Sequence, residues 1–127
     1  MVEAPSSLPA GVVVAVGGAL GSVARYLLSL AGPGLLWPTL AVNLTGAFAL
    51  GVLAGVLSRR VGASPLWRPF LGTGVLGGYT TFSALAVDLV TSVDGGRGSV
   101  AAAYLVATLA GGLALAWAGL AAGERVA

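Results

Sequence analysis

The sequence predicts an all-α membrane protein with four transmembrane helices. Three observations carry this expectation. The 127-residue chain is 57 % hydrophobic and only 8 % charged, with a mean hydropathy of +1.00. Its charges stand so far apart that residues 4–24, 26–58, 69–87 and 98–123 contain no Asp, Glu, Lys or Arg. A bilayer core needs about 20 apolar residues as helix, so three of these runs supply one span each. The 26–58 run is too long for one helix and begins inside the first. Gly, Pro and charged clusters punctuate the runs at residues 31–34, 59–65 and 94–98. A soluble domain of this size would carry a polar coat, and this chain has almost none.

The elements follow in order. Residues 1–7 form a short polar lead, with Pro5 and Pro9 limiting early helix. The first span is expected over residues 8–30, and Ala31-Gly32-Pro33-Gly34 is a turn. The second span covers 35–57, with Arg59 and Arg60 marking its exit and 62–65 as loop. The third covers 67–90, followed by the connection Asp94-Gly95-Gly96-Arg97-Gly98. The fourth covers 99–121. Trp37, Trp67 and Trp117 sit near span ends, where interfacial aromatics belong. With the N-terminus cytoplasmic, that side carries Arg59, Arg60, Arg68 and Arg125, and the other carries Arg25 and Arg97. This is a modest positive-inside bias. Glu3 and the lack of a basic lead argue against a cleaved signal peptide.

Several function classes are disfavoured at once. Six scattered Arg make no nucleic-acid patch. Without Cys there are no disulfides or thiolate metal sites. With no His, no Cys and no acid pair inside a span, acid–base catalysis lacks its groups. Thr81 and Ser83 have no visible base to activate them.

Polar residues inside spans are the informative ones, because hydrocarbon offers them no partners. Asn43 lies in the second span, and Thr39 precedes it on the same helix face. Asn43 is either interhelical glue or a ligand donor. The segment Gly72-Thr73-Gly74-Val75-Leu76-Gly77-Gly78-Tyr79-Thr80-Thr81-Phe82-Ser83 combines glycines with hydroxyls near mid-membrane. Poor helix propensity and competing side-chain bonds make it a candidate for a broken helix. Freed carbonyls there suit a cation, and helix N-termini suit an anion. The fourth span places Tyr104 and Thr108 on one face. Arg25 either snorkels to headgroups or holds a positive potential in an anion vestibule. Asp88 reads as interfacial. Small residues at four-residue steps, among them Gly17 and Gly21, Gly51 and Gly55, and Gly74 and Gly78, permit close helix approach.

These segments also carry a family pattern. Gly17-Gly18-Ala19-Leu20-Gly21-Ser22-Val23-Ala24-Arg25-Tyr26 resembles the first-helix signature of the Fluc/CrcB fluoride channels. Thr39-Leu40-Ala41-Val42-Asn43-Leu44-Thr45-Gly46-Ala47-Phe48 resembles their second-helix motif, and Gly74 through Ser83 their third. The resemblance implies an antiparallel, dual-topology dimer with two fluoride pores along the dimer interface. It implies that Asn43 donates its amide hydrogens to fluoride and that Phe82 lines the pore. Thr39, Ser83, Tyr104 and Thr108 would lie along the polar path. A structural Na+ would sit at the dimer centre, held by backbone carbonyls of Gly77 and Thr80 from each subunit. The activity implied is passive export of fluoride across a bacterial-type plasma membrane, relieving its toxicity.

Two departures from the family stand out. Leu85 occupies the place of a second Phe, and Tyr104 and Thr108 are followed by Gly112 and Ala116 where the family continues a hydroxyl ladder. Leu has no aromatic edge to offer an anion. The chain therefore reads either as a homodimer that tolerates Leu85 or as one half of a heterodimer with a second homologous subunit. Two rivals come from other classes. A small multidrug exporter shares the length and helix number, but needs an acid in the first span, and none is present. A structural subunit of a membrane complex would leave Asn43 and the Gly-Thr segment without a purpose.

Overall fold

A computed structural model describes residues 8–127, so the polar lead read for residues 1–7 lies outside the described residues. Helix α1 is Leu8–Ser29 and α2 is Trp37–Arg59. The third span consists of a π-helix, Arg68–Leu76, one turn of α3, Gly77–Tyr79, and α4, Phe82–Asp94. Helix α5 is Gly98–Val126. Four helical stretches are long and apolar enough to cross a bilayer: Ala10–Ser29, Trp37–Arg59, Arg68–Asp94 and Gly98–Val126.

Local chemistry sets the boundaries. Pro38 and Pro69 each fall in the first turn of their element, where no intrahelical N–H bond is lost. Gly34 and Gly96 turn the chain with φ of +74° and +73°, which a residue with a Cβ adopts only at a cost. Helix α4 continues beyond residue 90 to Asp94 because nothing breaks it before Gly95 and Gly96. Helix α5 likewise runs past residue 121 to Val126. Its last turn is tied to the end of α2 by an Arg59–Glu124 ion pair at 3.4 Å.

Two close helix pairings build the bundle. Helix α2 packs along α5, where Gly51 and Gly55 face the α5 backbone and Gly119 and Gly123 face the α2 backbone. Helix α1 packs along the π-helix and α3. There Gly17 and Gly21 meet Gly74, Val75 and Tyr79, and Gly78 meets Gly18. Such contacts bring backbones within dispersion range, the main attraction available between helices in lipid. The buried apolar core is correspondingly small: Val42, Leu85, Ala101 and Tyr104. Large side chains such as Leu20, Leu27, Val90 and Leu113 face outward, as a lipid solvent permits.

Between α3 and α4 the backbone leaves helical geometry. Thr80 has φ −75° and ψ 158°, and Thr81 has φ −149° and ψ 126°. Just before this point the winding is widened over Arg68–Leu76, and the Gly77 N–H donates to the carbonyls of Gly72 and Gly74 at the end of the π-helix. Such π-type winding is rare and collects at functional segments.

Candidate functional site

The site is built around the two extended residues, Thr80 and Thr81. Extended backbone inside a bundle exposes donors and acceptors that must find partners. Asn43, from the middle of α2, supplies them. Its Nδ2 donates to the Thr81 carbonyl at 2.9 Å, and the Thr81 N–H donates to its Oδ1 at 2.8 Å. One amide thus closes a two-bond ring on one residue. The second Nδ2 hydrogen takes no part in either bond.

Hydroxyls complete the arrangement. Thr81 Oγ1 accepts from the Ala84 N–H at 3.2 Å and so caps α4. It also lies 3.2 Å from Ser83 Oγ. Thr80 turns back, its N–H and its Oγ1 both donating to the Leu76 carbonyl at 2.9 Å.

This arrangement frees two carbonyls. In an unbroken helix the Thr81 N–H would donate to Gly77 and the Ala84 N–H to Thr80. Here Asn43 takes the first and the Thr81 hydroxyl takes the second. Among the described residues, no hydrogen bond is made to the carbonyl of Gly77 or of Thr80. Asn43, Gly77 and Thr80 line one cavity of about 270 Å³, together with Gly46, Gly72 and Leu76. No group of three or more His, Cys, Asp or Glu that could hold a metal occurs among the described residues. The carbonyl oxygens of Gly77 and Thr80, left without hydrogen bonds, are hard neutral donors.

A second cavity, of about 250 Å³, includes Thr81 in its wall. Arg25, Ser22, Tyr26, Ser29 and Thr39 also line it, with Val42. Arg25 is half-buried. A guanidinium among hydroxyls gives this cavity a positive potential and several donors, which suits an anion.

Tyr104 is buried, and its hydroxyl donates to Asp88 Oδ2 at 2.8 Å. The Thr39 side chain also lies beside that hydroxyl. Asp88 thus joins α4 to α5, six residues before the end of α4 at Asp94. Thr108 is buried, and its hydroxyl donates to the Tyr104 carbonyl at 2.8 Å. Phe82 points outward, 80 % exposed on the isolated chain, whereas Leu85 is 3 % exposed and belongs to its core.

The structure thus brings Thr39, Asn43 and Ser83 around the extended residues Thr80 and Thr81, with Gly77 on the same cavity as Asn43, while Tyr104 joins through Thr39. It does not bring Phe82 into contact with that cluster's cavities within one chain. Sequence reading passed over Thr81 as a site residue, although a Thr three residues before Ala84, just after a Gly-rich stretch, is an N-cap signal.

One consequence concerns Tyr104. Tyr104→Phe removes the bond to the Asp88 carboxyl without creating a cavity. It is expected to lower stability by about 1–2 kcal/mol, read as a lower thermal unfolding midpoint in detergent. An unchanged midpoint would show that the bond carries no weight.

Comparison with known proteins places this geometry in context. Residues 12–120 match the family described as "CrcB-like protein, Camphor Resistance (CrcB)". A protein of Agrobacterium fabrum, named fluoride-specific ion channel FluC, is 46 % identical over 119 residues, covering 90 % of this chain and 95 % of the relative. A protein of the same name from Rhizobium meliloti is 48 % identical over 114 residues, covering 86 % and 91 %. Fluoride-specific ion channel FluC 2 of Streptomyces avermitilis is 48 % identical over 105 residues, covering 80 % of this chain and 66 % of the relative.

Proposed function

This chain belongs to the CrcB family, and on that premise we propose how it conducts fluoride. It is a fluoride channel subunit and a multi-pass membrane protein, not an enzyme. Fluoride passes down its electrochemical gradient, out of the cell across the plasma membrane. The observation that carries the reading is the Asn43 amide, fixed by Thr81 with one N–H left over.

Fluoride is small and tightly hydrated, so entry into the bundle requires donors that replace water stepwise. Arg25 and the hydroxyls around it collect the anion at the cavity they line. Thr39, on the wall of that cavity, lies beside the Tyr104 hydroxyl of α5 and links the two. The free Asn43 N–H offers a fixed donor beside the broken segment. Ser83 adds a hydroxyl donor along the path, and Thr108, whose hydroxyl donates to the Tyr104 carbonyl, holds the backbone of α5 beside it. Phe82, on the outer face, presents the positive edge of its ring to the anion path of a paired subunit. Weak, successive donors let the ion leave as well as enter.

The pairing we infer is an antiparallel dimer in which the third span of each subunit is a broken helix. The carbonyls of Gly77 and Thr80 would hold Na+ at the dimer centre. Their freedom from hydrogen bonds supports that role, and carbonyl oxygens suit a hard monovalent cation. The ion would supply fixed positive charge between the two paths. A homodimer is favoured over a pair of different subunits because Leu85 is buried inside its own subunit. Its departure from the family's Phe is then a change in packing.

The proposal is tested by growth. Expressing this chain in a bacterium stripped of its own fluoride exporters should restore growth in millimolar fluoride. Restoration by the chain but not by Asn43→Ala supports the reading, and failure of both with the protein present in the membrane opposes it. Replacing Na+ with a large organic cation on both sides should lower flux through the purified protein. Flux unaffected by that exchange would remove Na+ from the account.

A further inference from the structure

The end of the bundle where α2 leaves and the third span begins carries a feature that conduction does not use. Arg60 and Arg68 line one cavity of about 260 Å³ with Gly62, Ser64 and Pro65. Both side chains are exposed. Among the described residues Arg59–Glu124 is the single ion pair, so neither Arg60 nor Arg68 has an acidic partner within 4 Å. Arg60, Gly62 and Ala63 are shared with a second cavity of about 460 Å³. That cavity is also lined by Leu53, Val56, Leu57, Leu71 and Trp67.

Two unpaired guanidiniums therefore sit directly above an apolar groove, at the level where two membrane-length helices end. Trp67, half exposed, marks the same level. We propose that this groove is a binding site for an anionic phospholipid of the surrounding bilayer. The phosphate sits between Arg60 and Arg68, and an acyl chain lies along Leu53, Val56 and Leu71. Charge selects the occupant: guanidiniums pair with phosphate oxygens in a bidentate fashion. Basic pockets at helix ends are recognised lipid headgroup sites. A zwitterionic lipid offers the same chain but adds a cation that the two arginines repel.

The test uses Trp67 as its own probe. Trp37→Phe with Trp117→Phe leaves Trp67 as the single Trp of the full chain. This protein is reconstituted in phosphatidylcholine containing either brominated phosphatidylglycerol or brominated phosphatidylcholine, and quenching is read against bromolipid fraction. Phosphatidylglycerol is expected to be preferred on the order of tenfold. Arg60→Gln with Arg68→Gln should bring the two lipids to parity. Arg60→Lys with Arg68→Lys should keep most of the preference, and Arg97→Gln at the opposite end should leave it unchanged. Raising ionic strength from about 0.1 to about 1 M shortens screening from about 10 to about 3 Å and should weaken it. Soluble glycerol phosphate should not compete. Equal quenching by the two lipids would overturn the site, as would a preference that survives the double Gln change. Quenching by neither lipid would show that a second copy covers the groove, which also overturns it.

Discussion

Asn43→Ala is expected to lower fluoride efflux by about tenfold to somewhat over a hundredfold. The lower figure is the loss of one hydrogen bond to a charged species, about 1.5 kcal/mol, and the upper is about 3 kcal/mol. A second loss adds to it. The substitution leaves the Thr81 N–H and carbonyl without their partners at 2.8 and 2.9 Å. The freed N–H then has the Gly77 carbonyl within its own chain as the nearest regular acceptor, and the backbone is drawn toward continuous helix. Asn43→Asp separates the two effects. Its carboxyl still accepts from the Thr81 N–H, so the extended residues keep one tie, but it has no amide hydrogen to give and it repels an anion. Efflux should fall in Asp as far as in Ala, with a smaller drop in unfolding midpoint. Efflux in Asn43→Ala equal to that of the unaltered chain would remove the amide from the conduction path.

The second large effect is on assembly of the bundle. A Cβ at Gly21 would collide with the Val75 carbonyl oxygen and stand 2.8 Å from the Tyr79 amide nitrogen. Both are backbone atoms, which no change of rotamer moves aside. Gly21→Ala is therefore expected to cost about 3 kcal/mol, the upper end for overpacking. It should separate α1 from α3, the turn that leads into Thr80 and Thr81. Gly11→Ala is the control, because a Cβ there meets nothing within 4 Å. That change should leave stability unchanged or raise it by up to about 1 kcal/mol through helix propensity. Unfolding midpoints in detergent measure both. A Gly21→Ala protein as stable as its parent would show that the close approach is not needed.

The helices were legible because charge spacing and bilayer thickness constrain them together. Asn43 was legible as a polar residue out of place, and the Gly-Thr segment as poor helix. What the amide does was not legible. Sequence spacing puts Asn43 on a helix face, but its pairing with Thr81 is a contact between elements 38 residues apart. The winding of Arg68–Leu76 was also hidden, since five-residue hydrogen bonds leave no distinct apolar period over nine residues. The helix that carries Asp88 also runs on farther than its sequence predicts. Its span was expected to end near residue 90, whereas only Gly95 and Gly96 stop the helix. Leu85 shows the reverse limit: comparison with a family motif marks a change, and only burial says that it lies inside the subunit.

The account rests on one chain forming a fluoride-selective path, so the most direct measurement is ion efflux from liposomes containing the purified chain alone. Fluoride should leave rapidly when the potential is clamped, and chloride should be retained under the same conditions. No fluoride efflux from liposomes that demonstrably contain the folded protein would contradict a self-sufficient channel, and equal efflux of chloride would contradict its selectivity.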